Sequence, residues 1–373
     1  MSVNPVELAG EARESQPRVL YVGCDRGAGE AVAPVHPYNA RCLKNDDWSI
    51  GFSAVAGTAR GQMTGSFLED LLARLIAKTD YVRHLIRQIP RYDVVHVHGG
   101  DSKDIVRLAL PALVLARFFG KRTVLHLTSA DTERFLDSRG GWFHPFLKAA
   151  DAIVVGSRYL QKTVGRSHLG STILTSPVDL ETIVHRKRQA LQPRILVDCD
   201  LEPERNVACA LKAFRLVKQK YPRAEITIIG EGSRFDALHR LAAGFNVHGV
   251  SFAGRTEPSQ TGTIYDDHDL FLVSSSQDES PSSLVRAFAA GLPVVTTDAD
   301  GLLHMVRDRV NALVVPINDH AGLADRIIEL VEDNQLTETL SLQGKKEAVK
   351  YSWGRVRQDW VNLYMNLASR NFS

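Results

Sequence analysis

Two adjacent carboxylates, Asp278 and Glu279, stand directly before Ser280, Pro281 and the pair Ser282 and Ser283. Ser280 is a good helix N-cap and Pro281 suits the first helical position, so the periodic run SSLVRAFAA reads as a helix closed by Gly291. At the start of such a helix the amides of Ser282 and Ser283 have no intrahelical partner, and together with the helix dipole they form a receptor for a phosphate or diphosphate. Carboxylates beside an anion site are unfavourable unless they hold something else, and sugar hydroxyls would be suitable partners for Asp278 and Glu279. The cap alone reads equally well as any capped helix of an α/β protein. The acidic pair turns the segment towards a ligand.

Strands must hold this helix in place. Asp269 to Ser274 (DLFLVS) is a short apolar run ending in serines, as expected of a strand buried on both faces of a parallel sheet, and Pro293 to Thr297 (PVVTT) is the next one. The same alternation runs through the chain. Strands are predicted over Arg18 to Gly23, Asp93 to Val97, Arg122 to Leu127, Ala152 to Ser157, Arg194 to Val197, Glu225 to Ile229 and Val250 to Gly254. Ligands in open α/β sheets bind outside the carboxyl ends of the strands. That rule draws attention to Gly27 and Gly29 after the first strand, His126 near the end of the third, and Gly230 and Gly232 in a Gly-x-Gly turn. For Gly27 and Gly29 an ordinary turn is the plainer account. His96 and His98 share one face of a strand, which suits either a metal or polar packing at a strand end, and no third ligand is evident nearby.

The segment from Tyr265 to Pro316 resembles the core signature of the retaining family 4 glycosyltransferases, enzymes of the GT-B fold. In that signature a Glu, seven residues and a second Glu precede Ala-Met-Ala-Ala-Gly-x-Pro, and its tail stands here as Ala287, Phe288, Ala289, Ala290, Gly291, Leu292, Pro293. Counting back, the first Glu falls on Asp278 and the second on Arg286. The resemblance gives the first carboxylate a contact with the transferred sugar, with Glu279 able to serve by a one-residue slip. It gives the second a hold on the nucleotide ribose, which Arg286, having no acceptor, cannot supply. Arg286 is then either a lost ribose contact or a new phosphate contact.

Leu201 to Asn206 (LEPERN) resembles the segment whose two basic residues clamp the donor diphosphate in that family; Asp200 stands at the first position and Arg205 at the second. Arg205 can still clamp as a bidentate guanidinium, whereas Asp200 would repel. The resemblance further implies a donor-sugar contact for His126, with a structural histidine as the alternative, and a nucleotide-base loop at Arg255 and Thr256, which also suit a surface turn. It implies a terminal helix, from Trp353 through Tyr364, that returns to the first domain with Trp353 as a packing anchor.

Length and composition are compatible with this class. A chain of 373 residues exceeds one ordinary core, and 44% hydrophobic with 24% charged residues is a globular composition. A net charge of +2 gives no ground for a nucleic-acid partner. The four cysteines, Cys24, Cys42, Cys199 and Cys209, lack metal or disulfide spacing, so free thiols in a reducing cytoplasm are expected. The polar N-terminus shows no secretory signal, and the longest apolar stretch, Leu108 to Phe119, is too short to span a bilayer. Arg139, Trp142, Phe143, Phe146 and Lys148 read either as a basic-aromatic edge on the inner face of a membrane or as a buried helix end. The basic run His185 to Arg188 reads as a solvated linker.

The expected fold class is α/β, GT-B, with two Rossmann-like domains facing a central cleft. Residues 1–180 form an acceptor-side domain, 190–350 a nucleotide-sugar-binding domain, and 351–373 the returning helix. The expected function is metal-independent transfer of a hexose, with retention, from a nucleotide-sugar donor to a glycan or lipid-linked acceptor. The nucleotide sugar is a substrate, and no cofactor is implied. Because Asp200 and Arg286 depart from the family pattern, a catalytically impaired relative that binds a nucleotide sugar or glycan is the alternative. A nucleotide-sugar epimerase would share the fold but needs an acid/base set that the sequence does not offer.

Overall fold

A computed structural model of the chain describes residues 16–25, 38–56, 79–99, 105–128, 136, 145, 147–188, 191–277 and 282–369. The chain divides into two compact units, Met1–Ser176 with Arg357–Ser373, and Pro177–Val356. Each is built on a six-stranded sheet in which every pairing is parallel.

The first unit contains β1 (Val19–Asp25), β2 (Ile50–Ala56), β3 (Val94–Gly99), β4 (Arg122–Leu127), β5 (Ala152–Val155) and β6 (Thr172–Ile173) in the order β2-β1-β3-β4-β5-β6. Its helices include α1 (Tyr38–Asn45), α2 (Leu110–Phe118) and α3 (Arg158–Arg166). Alternation along the strands sorts the two faces. Leu20, Val22, Val95, Val97, Leu125, Leu127, Ile153 and Val155 share an aliphatic core with Ala112, Leu113 and Ala116 of α2 and Leu160 and Val164 of α3. The opposite face is aromatic and polar. Tyr21 is paired in register with His96, and His98 with His126.

The terminal helix covers that second face. Trp360 and Tyr364 of this helix are fully buried, with the Trp360 ring 5.7 Å from His96 and 5.3 Å from His126. Trp360 Nε1 donates to the Thr175 carbonyl at 3.0 Å, and the Tyr364 hydroxyl lies 2.5 Å from that of Tyr21 and 2.8 Å from His96 Nδ1. The packing anchor is therefore Trp360 rather than Trp353, which is only partly buried.

The second unit contains β7 (Arg194–Asp198), β8 (Glu225–Ile229), β9 (Val250–Gly254), β10 (Leu270–Val273), β11 (Val294–Thr297) and β12 (Leu313–Val315) in the order β12-β11-β10-β7-β8-β9. Between and after these strands run α4 (Val207–Lys220), α5 (Phe235–Gly244), α6 (Thr261–Asp267), α7 (Ser282–Ala290), α8 (His320–Glu332), α9 (Asn334–Val349) and α10 (Trp353–Ser369), the last being the terminal helix just described. Progression is outward from β7 on one side and from β10 on the other, so the order reverses between these two strands. A sheet that reverses in this way opens a crevice at the carboxyl ends of the two central strands, here beyond Asp198 and Val273.

The basic run at 185–188 is not a solvated linker. Arg188 is 4% exposed, and its guanidinium donates to the carbonyls of Tyr265 (2.8 Å), His268 (2.8 Å), Arg186 (3.1 Å) and Ala290 (2.5 Å). The carbonyls of Tyr265, His268 and Ala290 lie at the carboxyl ends of α6 and α7, where unpaired acceptors and the negative end of the helix dipole favour a cation. Burial, with help from the neighbouring charge of Arg186, lowers the Arg188 pKa to about 10, so the group stays charged at neutral pH.

Candidate functional site

The loop after β7 is the first wall of the crevice. It runs from Cys199 through a 3-10 turn, Pro203–Arg205, to Asn206, whose left-handed backbone (φ 48) turns the chain into α4. This loop is fastened to its neighbours on two sides. On one side the Leu201 amide donates to the Glu231 carbonyl at 2.9 Å, Arg234 N donates to the Leu201 carbonyl at 2.9 Å, and the Glu202 carboxylate accepts from Ser233 N at 3.0 Å and Ser233 Oγ at 2.5 Å. On the other side Ser274 Oγ donates to the Arg205 carbonyl at 3.1 Å, while Ser276 N and Oγ both donate to the Glu204 carbonyl, at 2.8 and 3.1 Å. The serine cluster at the end of β10 thus holds the backbone that presents Arg205.

Gly230 and Gly232 make this fastening possible. Gly230 has φ +126, and a Cβ there would come 1.9 Å from the Cys199 carbonyl oxygen; one at Gly232 would come 2.5 Å from that of Leu201. The Gly-x-Gly turn lets one backbone lie against another. Its direct partner is the 199–201 segment.

The second wall is α7 with α6 behind it. Ser282 is exposed and Ser283 half-buried in the first turn of α7, and Leu284, Val285, Ala287, Phe288 and Ala290 bury its apolar face. Between α7 and the end of β7 lies a polar group that sequence reasoning missed. The Tyr265 hydroxyl, on a fully buried ring of α6 stacked against Phe271, donates to Asp198 Oδ2 at 2.5 Å and approaches the Ser283 carbonyl at 3.3 Å. Arg286 Nη1 lies 3.9 Å from the same Asp198 oxygen. Burial raises the Asp198 pKa, which the Tyr265 hydrogen bond and the charge of Arg286 partly oppose, and burial raises Tyr265 well above the ordinary phenol range. The one hint in the sequence was the Asp that follows the apolar run ILV in the strand RILVD.

Arg286 therefore has a partner of its own. Asp198 faces it, so a carboxylate at position 286 would meet a carboxylate. We expect Arg286→Glu to lower stability by about 1–3 kcal/mol and to weaken nucleotide binding rather than restore it. Urea unfolding and calorimetric titration with nucleoside diphosphates check this; tighter binding by the variant would refute the pairing.

The other candidate residues fall as follows. Asp200 is exposed beside Asp198, and Arg255 is exposed just after β9. His126 lies in the first unit, 4% exposed, its ring 5.1 Å from that of His98 and 5.4 Å from that of His96. Burial first, and the neighbouring histidines second, hold its pKa well below the usual range, so the imidazole is neutral. Among the described residues no group of three or more His, Cys, Asp or Glu side chains is placed to hold a metal ion. No helix among them is long and apolar enough to cross a membrane. Gly27, Gly29, Asp278, Glu279, Ser280 and Pro281 lie outside the described residues, as do Arg139, Trp142, Phe143 and Phe146; Lys148 is exposed.

Two parallel Rossmann-like sheets, the second with a fastened loop and a helix start at its reversal point, define the GT-B class of fold. The HepE protein of Anabaena, solved in complex with UDP-glucose, superposes with a TM-score of 0.69 over 94% of this chain and 98% of its own, at 15% identity. Residues 186–347 match the family model of glycosyl transferases group 1. Among curated relatives, the lipopolysaccharide core biosynthesis glycosyltransferase LpsE of Rhizobium meliloti is 34% identical over 131 residues, 35% of this chain and 38% of that protein. The phosphatidyl-myo-inositol mannosyltransferase of Mycobacterium tuberculosis is 25% identical over 296 residues, 74% of each chain. The chain spans 25%, 38% and 45% of the length of the first three curated relatives that it matches.

Proposed function

We propose that this protein is a glycosyltransferase that moves a hexose from a nucleotide-sugar donor to a glycan or lipid-linked acceptor, with retention and without a metal. The observation that carries the reading is the fastening of the Arg205 loop at the reversal point of the second sheet, beside the start of α7. In the reaction the bond from the anomeric carbon to the diphosphate oxygen breaks and the acceptor hydroxyl oxygen takes its place, its proton leaving with the diphosphate. The charge that develops on the diphosphate is met by the Arg205 guanidinium and the amides of Ser282 and Ser283. A pinned loop and a helix start need little reorganisation as that charge appears, which is what electrostatic catalysis requires. Asp278 or Glu279 is assigned to the donor sugar, Arg255 to the base and His126 to the transferred sugar. LpsE and the mannosyltransferase, by their names, support the transfer, and the latter a lipid acceptor.

Incubation with UDP-, GDP- and ADP-sugars and a panel of glycan and lipid acceptors tests the reading through nucleoside diphosphate release. Arg205→Ala is expected to lower kcat/KM about 100-fold, and Arg205→Lys, which keeps the charge but not the fork, about tenfold. Wild-type turnover with an unaffected Arg205→Ala variant would remove Arg205 from the site. The charge reversals at Asp200 and Arg286 favour a second reading, a nucleotide-sugar binding protein without turnover. Thermal stabilisation by a donor with no release across the acceptor panel would select it.

A further inference from the structure

We infer that Tyr265 is a positioning residue, which through its hydrogen bond to Asp198 sets the first turn of α7 against the end of β7 and so fixes the diphosphate receptor of the proposed donor site. The inference rests on the donor-site reading above and adds to it a residue to which the sequence assigned no role.

The geometry is specific. The Tyr265 ring is 1% exposed and stacked on Phe271 of β10, with centroids 5.8 Å apart and an interplanar angle of 21°, so its hydroxyl has little freedom. That hydroxyl has two acceptors. Asp198 Oδ2, 2.5 Å away, belongs to the last residue of β7, immediately before the loop that carries Arg205; the Ser283 carbonyl, 3.3 Å away, belongs to the first turn of α7. One buried oxygen thereby spans the two elements that supply the two halves of the anion receptor. The backbone that carries the ring is held as well, because the Tyr265 carbonyl accepts from the buried Arg188 guanidinium at 2.8 Å. Arg286, one turn further along α7, lies on the same carboxylate oxygen at 3.9 Å and adds a charge partner from that helix. A partly buried carboxylate with a phenol donor and a guanidinium partner favours the arrangement that keeps both.

Calorimetric titration of UDP, GDP, ADP and inorganic pyrophosphate, at a temperature where every variant is folded, is the test. Tyr265→Phe is expected to bind the preferred nucleoside diphosphate and pyrophosphate about tenfold more weakly. In turnover kcat should fall along with donor affinity, because the receptor meets charge that grows in the transition state. Asp198→Ala should lose the same affinity, the double variant should lose no more than either single one, and Asp198→Asn, which keeps an acceptor for the phenol but not the charge that faces Arg286, should lose clearly less than Asp198→Ala. The Asp198 pair alone decides the matter if Tyr265→Phe fails to fold: equal affinity for Asp198→Ala and wild type overturns the inference. So do losses that add in the double variant, or an Asp198→Asn loss as large as that of Asp198→Ala. In each of those cases the donor-site reading stands. Failure of the wild-type protein to bind any of the four ligands overturns that reading and the inference with it.

Discussion

Gly230→Ala is expected to be among the most damaging single-methyl substitutions in the second unit, lowering stability by about 3 kcal/mol or more and weakening nucleoside diphosphate binding at least tenfold in the protein that still folds. Two effects combine. The backbone at 230 has φ +126, which residues with a side chain rarely adopt, and the added Cβ would stand 1.9 Å from the Cys199 carbonyl oxygen and 2.9 Å from its carbon. The obstacle is backbone, so no rotamer change relieves it. Relief requires the 199–206 loop to move away, which breaks the bonds from Leu201 to Glu231 and Arg234 that aim Arg205. Gly254→Ala is the control. Gly254 also has positive φ, +66, but its added Cβ would meet nothing within 4 Å, so only the conformational cost of about 1 kcal/mol applies. Urea unfolding of the two variants side by side separates strain from close approach. Equal destabilisation would show that the contact with the 199–201 segment contributes nothing.

Arg188→Met should destabilise the second unit by about 3–4 kcal/mol, since methionine fills much of the space of the aliphatic stem but supplies no donor. Four carbonyl oxygens, those of Tyr265, Arg186, His268 and Ala290, lose a hydrogen-bond partner at once. Arg188→Lys should fall between Met and wild type, because an ammonium keeps the charge at the two helix ends but cannot fork to all four acceptors. The competing term is the cost of burying the guanidinium, already visible in its depressed pKa of about 10. If desolvation and hydrogen bonding cancel, the Met variant will unfold within about 1 kcal/mol of wild type, and the account of Arg188 as a double helix cap fails. Because Arg188 also holds the Tyr265 carbonyl, the same variant should weaken nucleotide binding when measured well below its Tm.

Much of the fold was legible because its signals are local. RTVLHL, VSFAG and SSLVRAFAA become β4, β9 and α7 with the bounds that their patterns suggest. A strand buried on both faces must be apolar along its whole length, and a helix must stop where Gly291 takes φ +77. The strand Ile50–Ala56 was missed. It lies at the sheet edge, and its sequence, IGFSAVA, mixes glycine, serine and alanine into a run with no clear period.

The site was legible in part, and the boundary follows sequence distance. Arg205, the Gly-x-Gly turn and the start of α7 could be found because each is read within a few residues, and parallel-strand topology brings them to one edge of the sheet. The same reading placed the basic run at 185–188 in solvent and the anchor of the terminal helix at Trp353. Arg188 is instead buried because α6 and α7 end beside it, and Trp360 is the fully buried one because it faces His96 and His126 across the sheet. Arg286 is the sharpest case. Its own neighbours in sequence show only a charge where a resembling family has the opposite one, and its meaning depends on Asp198, 88 residues earlier, and on a tyrosine 21 residues before it. Composition and periodicity by themselves determined which segments become strands and helices, since that depends on burial patterns repeated every two or nearly four residues. Which charge is paired, which is buried and which faces a ligand was decided only by the tertiary structure, because electrostatic and hydrogen-bond energies depend on separation in space and on exclusion of water.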